Sequence, residues 1–166
     1  MPNSRFIVED SSFVVALMNK SDALHERALL VFRKLYRNYS QVRIVVPTPV
    51  IFESLFALMR AGVDHQIAQE KLWKFLMVLN VLNFTILETT AIRFAPRIGP
   101  LLKNLNAEAS IPANDLIIIA TSFEFEDAPI ITFDVGMKRR FNAICGGRIL
   151  DMNDDNDVVK LFKYIG

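Results

Sequence analysis

The sequence predicts an α/β domain built on a mainly parallel, five-stranded sheet, and three observations carry that reading. Short apolar runs of strand length alternate along the chain with longer stretches of helical periodicity. Each run is apolar on both faces, as strands covered by helices on either side must be. Two of the runs, FIVED and IITFD, stop on a carboxylate, where an open parallel sheet presents its ligand crevice.

Arg5 to Val8 is the first strand, and Ser12 to Met18 resumes as a short helix after two serines. In DALHERALLVFRKLYRNY, Leu24, Ala28, Val31, Phe32 and Leu35 recur on one helical face, with Ser21 or Asp22 as N-cap. Val42 to Val46 is brief and β-branched, hence a second strand. Pro47 and Pro49 flank Thr48 and start a helix that runs through IFESLFALMR to Gly62. Asp64 to about Leu79 is another amphipathic helix and contains the only tryptophan, Trp73. NFTILE is the third strand, followed by a helix from about Thr89 to Leu105 that bends at Pro96 and Pro100. After the loop NAEASIPAN come the helix DLIIIATSFEF, the fourth strand APIITFD, the helical turn GMKRRF and the last strand GRIL. The acidic stretch DMNDDND reads as a solvated loop before a final helix. No internal repeat, linker or low-complexity segment interrupts the series.

A chain of 166 residues, 52% hydrophobic, fits one domain, 1–166, with a substantial core. Nineteen basic and eighteen acidic side chains leave a formal charge of +1, which excludes a global positive field for nucleic acid or anionic membrane. Any such partner must be bound locally. A single cysteine, Cys145, excludes an internal disulfide and a thiolate metal knuckle, and suits a reducing cytoplasm. The apolar run before Glu9 is too short for a secretory signal, and the longest apolar tract, 72–87, is broken by Lys74, Asn80, Asn83 and Thr85. A soluble, cytoplasmic protein without a membrane partner is therefore expected. Its mean hydropathy of +0.28 is high for a soluble monomer and points to a homodimer.

Four acids stand out. Asp10 and Asp134 end strands, and on neighbouring strands their carboxylates would converge and require a cation. Glu53 lies in PVIFESLFALM, a helix apolar nearly all round and so expected to be buried. A glutamate there needs a reason, either a ligand role or a buried salt bridge to Arg60 or Arg93. Asp115 opens the helix LIIIATSF, where it either caps the N-terminus or leaves that duty to Asn114 and faces the site. The two histidines, His25 and His65, sit in amphipathic helices and are expected at the surface. An all-oxygen set of Asp10, Glu53, Asp115 and Asp134 suits Mg²⁺ or Mn²⁺ over zinc, and such ions favour phosphate as a further ligand. Hydrolysis of a phosphodiester by an activated water is the chemistry that follows.

The segments DSSFVVAL, DALHERA, TPVIFESLFALMR, NDLIIIATSF and IITFD, in that order and interleaved as above, resemble PIN-domain nucleases and especially the VapC-type ribonuclease toxins. The likeness spans nearly the whole chain. It implies a three-layer α/β/α sandwich and a ribonuclease using Mg²⁺ or Mn²⁺, with an antitoxin as protein partner if the chain is a toxin. It also implies that Asp10, Glu53, Asp115 and Asp134 form the catalytic, metal-binding quartet, supported by the hydroxyls of Thr132 and of Ser11 or Ser12. Glu9 stands where the family usually has an apolar residue, and Phe133 where a basic residue often precedes the last aspartate. Strand alternation turns Glu9 away from Asp10, and a salt bridge is expected for it. Lys138, Arg139 and Arg140 follow Asp134 and are placed to contact RNA phosphates.

Three other functions fit parts of the sequence: an RNA-processing nuclease that is not a toxin, an inactive RNA- or partner-binding module, and a receiver domain. The last is suggested by IVEDSSFV, but requires an acceptor aspartate ending the third strand, where Glu88 stands, and a lysine-proline pair that GRILDMN lacks.

Overall fold

The computed structural model describes residues 5–38, 41–78, 82–84, 112–143 and 145–166. Five parallel strands, β1 (Arg5–Glu9), β2 (Val42–Pro47), β3 (Leu82–Phe84), β4 (Ile130–Thr132) and β5 (Ile149–Asp151), form one sheet in the order β3-β2-β1-β4-β5. The register runs Ile7 to Ile44 between β1 and β2, Val8 to Ile130 between β1 and β4, and Ile130 to Ile149 between β4 and β5. Strand order reverses between β1 and β4, so the crevice at the switch point opens beyond Asp10 and Thr132. A receiver domain has a different order, 2-1-3-4-5, and the sheet excludes it.

Seven helices are described: α1 (Ser11–Met18), α2 (His25–Arg37), α3 (Thr48–Arg60), α4 (His65–Val78), α5 (Ala113–Glu124), α6 (Val135–Phe141) and α7 (Asp155–Ile165). Helix α5 packs across β1, β2 and β4, while α6 and α7 pack on β5. The result is a three-layer sandwich. Successive strand residues such as Ile7 and Val8, or Ile130 and Ile131, are all fully buried, which requires cover on both faces of the sheet. Among the described residues no helix is long and apolar enough to cross a membrane.

Several local expectations change. Helix α2 starts at His25 with no side-chain cap, because Asp22 instead accepts the amide of Leu24 at 2.8 Å within the preceding turn. Helix α3 is not buried all round. It buries Val50, Ser54 and Leu58, one row four residues apart, and leaves Phe52, Phe56 and Met59 exposed. The acidic stretch before α7 is no solvated loop: Asp154 caps the helix, and Asp157 is buried, taking hydrogen bonds from the Asp151 amide (2.9 Å), Lys138 (2.5 Å) and Lys160 (2.8 Å). Of the third strand, residues 82–84 are described. The remainder of NFTILE and the helix expected over 89–105, with Pro96 and Pro100, lie outside the described residues.

Candidate functional site

Asp10 leaves β1 as the N-cap of α1, in extended backbone, and its side chain is buried. One carboxylate oxygen, Oδ2, accepts the hydroxyls of Ser12 at 2.6 Å and Thr132 at 2.7 Å. Those hydroxyls lie 3.0 Å from each other, but each has a single proton and each is spent on Asp10. Both then accept from the backbone beyond β4, Ser12 from the Phe133 amide at 2.9 Å and Thr132 from the Asp134 amide at 2.8 Å. The ends of β1 and β4 are thereby tied through Ser12 and Thr132. Among the described residues the other oxygen of Asp10, Oδ1, has only a long approach from Ser11 Oγ, 3.5 Å.

Asp134 is the N-cap of α6, its Oδ1 accepting the amides of Gly136 at 2.7 Å and Met137 at 3.1 Å. A Cβ at Gly136 would lie 2.9 Å from that oxygen, so only glycine lets the carboxylate fold back this closely. Sequence reasoning passed over Gly136, although a glycine two residues after a strand-ending aspartate marks the cap.

Asp115 sits in the first turn of α5 but does not cap it. It is mostly buried and accepts Arg140 Nη2 at 3.0 Å. Burial raises its pKa, Arg140 opposes that rise, and the charges of Asp10 and Asp134 add to it. Three of the four sequence-selected acids therefore feel one another across the switch point. Glu53, half-buried on α3, is bound by Asn114 Nδ2 from the start of α5; no arginine among the described residues pairs with it, and Arg93 lies outside them. Asn114 thus joins Glu53 to the helix that carries Asp115. Beside them a cavity of about 470 Å³ is lined by Phe52, Glu53, Phe56 and Asn114.

Among the described residues no three Asp, Glu, His or Cys side chains stand close enough to cage an ion as they are. Arg140 supplies a positive charge at Asp115, which also feels the negative charges of Asp10 and Asp134. The donor set is carboxylate and hydroxyl oxygen alone, the chemistry that hard cations prefer.

The basic triplet after Asp134 divides. Lys138 is engaged by Asp157 at 2.5 Å and Asp154 at 3.5 Å, Arg140 by Asp115, and only Arg139 extends into solvent. His25 is half-buried, one ring nitrogen 2.9 Å from the Ala16 carbonyl, while His65 is exposed as expected. Glu9 has no salt bridge among the described residues. It is fully buried, both oxygens lack a hydrogen-bond partner among the described residues, and burial pushes its pKa up to about 8.

A parallel sheet whose switch point gathers acids from β1, β4 and α5 defines a class of α/β proteins with an oxygen-lined crevice. Within it, the sequence pattern of the PIN domain matches residues 7–141, and the chain belongs to that family. Two solved structures are similar to it. VapC20 from Mycobacterium tuberculosis, a sarcin-ricin loop cleaving toxin, superposes with a TM-score of 0.61 at 19% identity, covering 80% of this chain and 93% of that one. VapBC2 from Rickettsia felis, bound to a DNA fragment from its promoter, gives 0.60 at 18% identity, over 82% and 94%. At those identities the likeness is one of fold. Among curated proteins none matches the chain in sequence.

Proposed function

We propose that the protein is a Mg²⁺- or Mn²⁺-dependent endoribonuclease of the VapC type. The observation that carries this reading is the convergence of Asp10, Asp115 and Asp134 at the switch point of a PIN-family sheet, with Glu53 adjoining through Asn114. Asp10 Oδ1 and Asp134 Oδ2 offer oxygens to a cation, and Asp115 and Glu53 complete the quartet. When bound, the ion would activate water for attack on a phosphodiester and neutralise charge on the phosphate. Ser12 and Thr132 fix the orientation of Asp10 by saturating its other oxygen, with Ser11 at the margin. Arg139 contacts RNA phosphate from solvent, while Lys138 holds the β5–α7 junction.

The partners follow from the same reading. One similar structure is a toxin–antitoxin complex, which supports an antitoxin partner here. Exposed Phe52, Phe56, Trp73 and Met77 on α3 and α4 support a homodimer. A cytoplasmic site of action fits an RNA substrate and the single cysteine.

Asp10→Asn tests the assignment. The amide keeps the size and capping of the aspartate but loses the charged ligand, so cleavage of single-stranded RNA in Mn²⁺ should fall about a hundredfold or more with the fold intact. Equal cleavage by variant and parent, both freed of contaminating nuclease, would remove Asp10 from the site.

A further inference from the structure

Arg140 has more donors than its one ion pair among the described residues uses. Of the five N–H groups of a guanidinium, one on Nη2 bonds Asp115 at 3.0 Å. Nε is buried without a hydrogen-bond partner among the described residues. Nη1 lies 3.8 Å from where a Cβ on Gly136 would stand, beside the Asp134 carboxylate that same Cβ would strike. Arg140 is only partly buried, 35% of its side chain being exposed, and an arginine retained for a structural pairing with carboxylate is frequently bidentate. Among the described residues this one grips a single oxygen with one nitrogen. It also sits on an acid that feels its fellows, since Asp115 faces the charges of Asp10 and Asp134. The guanidinium also lies over the ring of Phe141, whose centroid is 5.6 Å away, a contact that does not depend on Asp115.

We propose that Arg140 is the resident cation of the site: it neutralises Asp115 in the absence of a divalent ion, releases that carboxylate when the ion binds, and then holds the substrate phosphate. The inference rests on the nuclease reading and deepens it, because it makes metal binding and RNA binding mutually reinforcing. A planar guanidinium with spare donors matches a phosphate better than the lone carboxylate oxygen it grips now. The coupling must be reciprocal, the ion strengthening RNA binding by the factor by which RNA strengthens ion binding.

The consequence for Arg140→Gln is a pair of effects of opposite sign. With its competitor gone, Mn²⁺ should bind about fivefold more tightly or better, read by calorimetric titration with Mn²⁺ alone. Fluorescence anisotropy with a hydrolysis-resistant, phosphorothioate-linked RNA should show that Mn²⁺ raises affinity for the parent about fivefold or more, and that this gain disappears in the variant. Simple misfolding would weaken both. Arg140→Lys retains the charge and should keep Mn²⁺ affinity near that of the parent. Arg139→Gln removes an equal charge without touching Asp115 and should change Mn²⁺ affinity by less than about twofold, because exposed charges are screened. If the parent binds Mn²⁺ and cleaves RNA while folded Arg140→Gln binds Mn²⁺ no more tightly, the role given to Arg140 is overturned and the nuclease stands. A parent that binds no Mn²⁺ overturns both.

Discussion

Burial of the Glu9 carboxyl group makes the folded chain hold a proton that the unfolded chain gives up, since its pKa rises from 4.5 to about 8. Below pH 4.5 both states are protonated and the group favours neither. Between there and about pH 8 the unfolded chain ionises first, so stability falls as pH rises, by about 1.4 kcal/mol for each pH unit at the steepest. Above that the folded chain carries a buried, unpartnered charge. Glu9→Gln removes the titration and should flatten the profile, gaining on the parent progressively from pH 5 to pH 8. Urea midpoints measured across that range check it, and parallel profiles for the two proteins would show that Glu9 is neither so buried nor so isolated. The residue next to it behaves differently because strand alternation gives Asp10 the crevice, two hydroxyl donors and a helix N-terminus.

The stretch between β5 and α7 shows what an acidic run does when its members cap a helix or take buried partners. Asp154 caps α7, and Asp157 binds the Asp151 amide and two lysines, one of them Lys138 from α6. Burial acts to raise the pKa of Asp157, but the hydrogen bonds from Lys138, Lys160 and the Asp151 amide prevail and hold it below the usual range. A lowered pKa gives stability that is present above the unfolded value and is lost as pH falls through the folded one. Asp157→Asn should therefore cost about 2 kcal/mol at neutral pH, and the difference from the parent should shrink toward acid. Denaturant unfolding at neutral and acid pH measures both, and a constant difference would assign the loss to packing instead. Helix α6 is fixed at its N-terminus by the Asp134 cap and at its middle by this cluster through Lys138, which is why Arg139 and Arg140 project from a short but well-anchored element.

At the scale of the molecule, the sheet was legible because strand length, two-sided apolar composition and the interleaved helices all agree, and the acids ending FIVED and IITFD marked the crevice before any geometry did. What the sequence hid was orientation. Helix α3 looks buried by composition, but apolar residues turned outward, such as Phe52 and Phe56, read the same as core residues. The pairing of Asp115 with Arg140 joins residues far apart in the chain, and local periodicity carries no trace of it. The crowded acids of the crevice also bear on global stability, because a cation that binds only the folded chain adds RT ln(1 + [L]/Kd) to it. At a Mn²⁺ concentration ten times its Kd that is about 1.4 kcal/mol, or roughly 3 to 6 °C in Tm for a chain of this length. EDTA should abolish the shift, and Asp10→Asn should show little of it at the same Mn²⁺ concentration, since the loss of a charged ligand raises Kd. Melting curves taken after calorimetry has fixed Kd make the comparison strict: a parent whose Tm ignores saturating Mn²⁺ would mean that the ion binds the unfolded chain equally well, and that the carboxylates are not held together by the fold.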